Sequence, residues 1–216
     1  MDCITYNSND ALKNHIKVGY ANKNSVVVPN GFELDKFKFD LKDRLKVREK
    51  LKLNEEDRVI ITVGRWNIQK DYYTLLKALA ELKKRKYNFK MIMVGSNLDF
   101  SNDELVTLIK QYNLEGNMIL LGRQGNIPAL LSAADIYVSS SLGESFSNSI
   151  GEAMACELHC VVTDVGDSKI MVGSTGIVVQ AKDYVNMSKA LLTYLKNDEL
   201  NRNIEARNRV LNNYEI

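Results

Sequence analysis

Two glutamates and the polar residues between them are the part of this sequence best equipped for chemistry. In the segment LGESFSNSIGEAMAC, Glu144 and Glu152 stand eight residues apart across a glycine- and serine-rich helix start. Eight residues of helix rise about 12 Å, so the pair cannot serve as a close acid and base on one atom. The spacing suits gripping opposite parts of one long ligand. Ser147, Asn148 and Ser149 place unpaired backbone N–H groups at a helix N-terminus, where the aligned dipole favours an anion. A diphosphate with a sugar at each end meets that description, the carboxylates accepting sugar hydroxyls and the amides facing phosphate. A glutamate near a helix start is also a common cap or dipole partner. Glu152 fits equally a solvent face opposite Ile150, Met154 and Ala155, so the segment by itself leaves both readings open.

A second cluster bears on the choice. VGRWNIQK sets Gly64, Arg65 and Lys70 directly after the apolar run VIITV, at the C-terminal strand edge where open α/β sheets bind ligands. Gly64 lets backbone approach closely. Arg65 offers a planar fork of donors to phosphate oxygens and Lys70 a compact positive charge, a combination suited to a leaving diphosphate. A solvated basic loop is the alternative for either cation alone; two clusters at matching strand ends make coincidence a weaker explanation.

The elements that must position these residues alternate between short β-branched runs and longer helical stretches, the signature of a parallel sheet flanked by helices. Runs at Val26, Val59, Lys90, Met118, Asp135, His159 and Gly176 are continuous rather than alternating, as in strands covered on both faces. Stretches beginning at Asp71, Asn102, Asn126 and Ser147 read as crossover helices in right-handed units. The lysine-rich DLKDRLKVREKLKLNEED reads as a surface amphipathic helix ending near Asn54. The C-terminal stretch reads as two helices broken near Asn197 and Asp198. Pro29 marks a turn after a strand, and Pro128 suits a first helical turn.

Composition narrows the function classes. With 216 residues, 45% hydrophobic and 26% charged, the chain has the make-up of an ordinary globular domain, and a formal charge of +2 points to no nucleic-acid partner. No apolar run reaches the roughly 20 residues of a membrane span, and the first residues carry no signal pattern, so a cytosolic location is expected. Cys3, Cys156 and Cys160 are odd in number and lack metal-ligand spacing, which fits free thiols and no metal site. No G-x-G-x-x-G follows the early strands, which argues against a dinucleotide oxidoreductase.

Taken in order, VVVPNGFELDKF, ITVGRWNIQKDYYTLLKAL, MIMVG, LLGRQGNIPALLSAADIYVSSS, ESFSNSIGEAMAC, VVTDVGD and TGIVV resemble the retaining glycosyltransferases of group 1 (family 4), from about Asn7 to Asn197. The resemblance implies one half of a GT-B fold: a Rossmann-like three-layer α/β sandwich on a central parallel sheet of about six strands. It divides the chain into an interdomain crossover helix and linker (1–24), a donor-binding domain (25–197) and a truncated C-terminal helix (198–216). It implies that Arg65 and Lys70 bind the donor diphosphate and stabilise the departing nucleotide, and that Glu144 contacts the transferred sugar. Glu152 would hold the ribose, the amides of Ser147, Asn148 and Ser149 would cradle phosphate, Gly122 and Arg123 would help build the base pocket, and Gly64 is counted among the donor-binding residues.

By the same resemblance the reaction moves a hexose or N-acetylhexosamine to a hydroxyl acceptor in bacterial polysaccharide or glycolipid synthesis. The substrate is a nucleotide sugar, a UDP sugar first among the candidates, and neither metal nor separate cofactor is implied. An N-terminal acceptor-binding domain is expected as partner, and any contact with the inner membrane would run through it; without that domain the chain is expected to bind donor but not to transfer efficiently. A non-catalytic nucleotide-sugar-binding module or regulatory subunit is the alternative. The sequence departs from the family where Glu157 and His159 replace a glycine and a proline after the AMAC helix, removing the residue best suited to a left-handed cap. His159 reads as a strand-entry residue and His15 as a surface one. Lys169, in VGDSKIMVG, stands in a loop where many relatives carry Gly-Gly and a glutamate.

Overall fold

The computed structural model describes residues 3–20 and 24–216. Of the crossover segment expected at 1–24, residues 1–2 and 21–23 lie outside the described residues. Six parallel strands form the main sheet: β3 (Val59–Val63), β4 (Lys90–Val94), β5 (Met118–Gly122), β6 (Ile136–Ser139), β7 (His159–Thr163) and β8 (Gly176–Val179), in the order β5-β4-β3-β6-β7-β8. The chain winds outward from β3 in one direction, then returns to β6 and winds outward in the other. The switch point therefore falls between the C-terminal ends of β3 and β6, where side chains after two diverging strands face one crevice.

Both sheet faces are covered, and the strands alternate between two cores. Ile60, Met91, Met93 and Val161 point to one, against Leu75, Leu79 and Leu82 of α3 (Tyr72–Lys84) and Met187, Leu191 and Leu195 of α8 (Tyr184–Leu195). Val59, Ile61, Ile92, Val94 and Val162 point to the other, against Leu131 of α5 (Ile127–Ala133), Ile150 and Met154 of α6 (Asn148–Ala155) and Val210 of α9 (Ile204–Tyr214). This is why the strand runs are apolar without alternation. α4 (Asp103–Gln111) joins the first layer; Asn102 caps it by accepting from Leu105 N, and Asn126 caps α5 with Pro128 in its first turn.

Three features depart from the sequence expectation. The run at Val26 forms β2 (Ser25–Val27), which lies outside the main sheet and pairs in parallel with β1 (Ile4–Tyr6); α1 (Asn9–Lys17) connects them. The lysine-rich segment folds as α2 (Leu41–Lys50), but it is more than a surface helix, because Arg48 is buried. Its guanidinium donates to the carbonyls of Ala133, Asn54, Glu55 and Asp57 and to the Asp135 carboxylate, so every donor direction that burial would orphan is satisfied. The VGDSKIMVG loop contains a short helix, α7 (Ser168–Val172). Glu157 adopts φ +64°, the left-handed conformation in which glycine would be strain-free.

Candidate functional site

The connection from β3 to α3 is built to present two cations. A 3₁₀ turn spans Ile68–Lys70; Asn67 starts it by accepting from Gln69 N at 2.7 Å. Asp71 follows in the left-handed conformation at φ +44° and caps α3, accepting from Thr74 N at 3.2 Å and Thr74 Oγ1 at 2.6 Å. The loop is then tied across the switch point to the chain leaving β6: Leu142 N donates to Gln69 O at 2.7 Å and Ser140 Oγ to Lys70 O at 2.7 Å. Close backbone approach underlies this packing. A Cβ on Gly95 would lie 1.5 Å from Gly64 O, and one on Gly64 would lie 2.8 Å from the Tyr72 hydroxyl.

Across the crevice, α6 begins at Ser147, whose side chain makes no capping hydrogen bond; the Ser149 hydroxyl is engaged instead with the Tyr137 hydroxyl at 2.8 Å. The first-turn amides of α6 are thus left without a side-chain cap, as an anion site requires. One cavity of about 450 Å³ joins the two segments, lined by Gly64, Arg65 and Lys70 from one side and Glu144, Ser147, Asn148, Ser149 and Glu152 from the other. The sequence clusters, 74 residues apart from Lys70 to Glu144, face the same space.

Their electrostatics are uneven. Lys70 Nζ lies 2.5 Å from Glu144 Oε1, and Ser141 Oγ donates to the same oxygen at 2.6 Å. Arg65 is exposed and, among the described residues, holds no hydrogen bond or ion pair, so its full fork of donors is available. Glu152 is half-buried; burial pushes its carboxyl above the ordinary range, with Lys36 opposing the shift. A half-buried carboxylate that, among the described residues, holds no side-chain hydrogen bond or ion pair suits accepting hydrogen bonds from neutral hydroxyls.

A family model for "Glycosyl transferases group 1" matches residues 43–210, more than three quarters of the sequence. The chain belongs to the group 1 glycosyltransferases. Among curated members, it is 26% identical over 210 residues to the N-acetyl-alpha-D-glucosaminyl L-malate synthase of Bacillus anthracis, covering 96% of this chain and 54% of that protein. It is 31% identical over 155 residues to a Campylobacter jejuni enzyme named N-acetylgalactosamine-N,N'-diacetylbacillosaminyl-diphospho-undecaprenol 4-alpha-N-acetylgalactosaminyltransferase, covering 68% of this chain and 40% of that one. The chain thus spans about half the length of the curated relatives it matches. Among solved structures, Anabaena HepE in complex with UDP-glucose superposes with a TM-score of 0.89 at 23% identity, over 99% of this chain and 60% of that one. The fold is accordingly a Rossmann-like domain of GT-B type.

Not every residue singled out from the sequence meets in the group 1 crevice. Gly122 and Arg123 do not line the cavity; they stand at the end of β5, two strands away from β3 along the same C-terminal sheet edge. Gly122 is conformationally demanding in its own right, with φ +61° and an added Cβ 3.1 Å from Asp99 Oδ2. His159 enters β7 as expected, its Nε2 2.8 Å from Asn201 O, and burial lowers its pKa.

Sequence reasoning missed Asn67, Gln69 and Phe146 in the cavity wall, and Asn30, whose Nδ2 donates to Asn148 Oδ1 at 2.8 Å. Asn30 belongs to the PNGF turn, whose Phe32 packs so closely on α6 that a Cβ on Gly151 would lie 2.0 Å from its ring. The glycine in SIGEAM was the available signal. Among the described residues no helix is long and apolar enough to cross a membrane.

Proposed function

We propose that this chain is the nucleotide-sugar donor-binding half of a retaining glycosyltransferase that moves a hexose or N-acetylhexosamine from a UDP sugar to a hydroxyl acceptor. The observation that carries the reading is the single cavity at the switch point, cationic on the β3 side and rich in amides and carboxylates on the β6 side. In this arrangement the diphosphate lies between Arg65 and Lys70 and the start of α6, the amides of Asn148 and Ser149 taking the side opposite the guanidinium. Glu152 accepts from the ribose hydroxyls and Glu144 from the transferred sugar, while the base extends along the sheet edge toward Gly122 and Arg123.

As the glycosidic bond to the nucleotide breaks, negative charge grows on the diphosphate. The loop that carries Arg65 and Lys70 is tied through the backbone oxygens of Gln69 and Lys70 to the chain leaving β6, which keeps both cations at the crevice to stabilise that charge. Residues 25–197 are the donor-binding unit in this reading, with 1–24 the crossover from an acceptor-binding domain and 198–216 a truncated C-terminal helix, whose α9 packs against α6. Acceptor orientation then depends on that other domain, and the chain alone binds donor without efficient transfer. The diphospho-undecaprenol acceptor in the Campylobacter jejuni relative's name supports a lipid-linked acceptor and a parent enzyme that works against a membrane.

The test is calorimetric titration of UDP and UDP-N-acetylglucosamine into the wild-type chain and Arg65→Ala. Removing a charge-assisted fork contact should weaken UDP by about tenfold or more, from a loss of about 1.5–3 kcal/mol. Equal affinities for the two proteins would remove Arg65 from the diphosphate site and this reading with it.

A further inference from the structure

The segment that carries Glu144 is clamped from outside the crevice by residues to which neither motif nor comparison gives a role. Asp167, only 6% exposed, sits at its centre. Its Oδ2 accepts from Asn9 N at 2.8 Å and from Asn9 Nδ2 at 3.1 Å, and its Oδ1 accepts from Asp10 N at 3.1 Å. The carboxylate therefore spans two of the open first-turn amides of α1, where its charge is favoured by the dipole. The backbone N–H of the same residue donates to Ser145 O at 3.2 Å. The neighbouring Gly166 presses on the segment directly: at φ +53°, a Cβ there would meet Glu144 O at 2.2 Å. From the other side, Ser145 Oγ donates to Asn7 Oδ1 at 2.8 Å and stands 2.9 Å from Ser8 Oγ.

The backbone at Glu144 and Ser145 is thus held between the Gly166–Asp167 turn and the N-terminal strand-helix unit, which among the described residues shares no strand pairing with the main sheet. We infer that Asp167 is a positioning residue for donor-sugar recognition: through Ser145 it fixes the backbone of Glu144, and through α1 it couples that placement to the N-terminal unit. The inference rests on Glu144 facing the transferred sugar. It makes the grip on the sugar more sensitive than that on the nucleotide to where α1 sits, because Arg65 has no bond to the clamped segment and Lys70 meets it through its ion pair with Glu144.

Two variants cut the clamp at different places. Asp167→Asn keeps the side-chain volume but turns one acceptor into an NH₂ group facing an amide. Ser145→Ala leaves Asp167 intact and severs the links to Asn7 and Ser8. UDP and UDP-N-acetylglucosamine are titrated into the 216-residue chain as wild type, each variant, Glu144→Gln, and Asp167→Asn combined with Glu144→Gln. Each clamp variant should leave UDP affinity within about threefold of wild type, yet shift the ratio of the two dissociation constants toward that of Glu144→Gln, with no further shift in the double variant, as shared action requires. An unchanged ratio, or equal weakening of both ligands, overturns the inference. Amide hydrogen exchange read without ligand separates this outcome from failure of the donor reading. The amide of residue 167, which donates to Ser145 O, should exchange faster in both clamp variants even if the wild type binds neither ligand, and unaltered exchange there also overturns it.

Discussion

Glu144→Gln should move the affinities for UDP and for a UDP sugar in opposite directions. In the ligand-free crevice Lys70 is held 2.5 Å from Glu144, with side chains 24% and 13% exposed. A diphosphate must draw Lys70 from that partner or share it, and part of its attraction is spent on the exchange. Exposed ion pairs contribute about 0.2–1 kcal/mol, and this partly buried one belongs near the upper end. Glutamine keeps the shape and a hydrogen-bonding oxygen but releases the lysine, so UDP should bind roughly two- to fivefold more tightly. UDP-N-acetylglucosamine gains the same freed lysine but loses a charged acceptor for a sugar hydroxyl, worth about 1.5–3 kcal/mol. Its affinity should fall on balance. Lys70→Ala, by contrast, should weaken both ligands by about tenfold to a hundredfold. Calorimetry at two salt concentrations provides the check, since the gain in UDP affinity should shrink as ionic strength rises. Parallel weakening of UDP and the UDP sugar by Glu144→Gln would refute the competition between Glu144 and phosphate for Lys70.

Other consequences follow from strain, burial and titration. Gly95→Ala, whose Cβ would meet Gly64 O at 1.5 Å from a φ of +139°, should lower the midpoint of thermal unfolding by several degrees, since the backbone itself must shift. Glu152, with its carboxyl raised by burial, costs stability when ionised. Glu152→Gln should therefore stabilise the chain at neutral pH, and the gain should vanish below about 4.3, where the carboxyl is protonated in both folded and unfolded chains. UDP affinity should begin to fall at a pH above the ordinary carboxylate range in the wild type and lose that step in Glu152→Gln. Ellman titration should find Cys3 reactive in the native chain and Cys156 and Cys160 only after denaturation, because burial pushes Cys156 to about 12 and raises Cys160 as well.

The sheet and its crossovers were legible because each strand from Val59 onward is a continuous apolar run and each long helix carries its own periodicity and a capping residue. β1 was not, since ITY is three residues long and becomes a strand only through its pairing with β2. The five residues of α7 are likewise too few to show a helical period. Arg48 illustrates a different limit: among the lysines and arginines of α2, nothing local says which turns inward. The answer lies in Asp135 and the carbonyl end of α5, about 90 positions away along the chain.

The site divides in the same way. Gly64, Arg65 and Lys70 lie together in sequence, as do Glu144 through Glu152, so each cluster could be recognised. That the two lie at diverging strands of one switch point follows from strand order, and the contact of Lys70 with Glu144 from packing across it. The clamp on Ser145 draws on residues from Asn7 to Asp167, and no short motif could contain it.

The central claim is best tested by a crystal structure of the chain with UDP-N-acetylglucosamine. The account predicts the diphosphate between the side chains of Arg65 and Lys70 and the amides of Asn148 and Ser149, with ribose hydroxyls on Glu152 and the sugar against Glu144. A nucleotide bound elsewhere on the chain, with the crevice between β3 and β6 left empty, would contradict it.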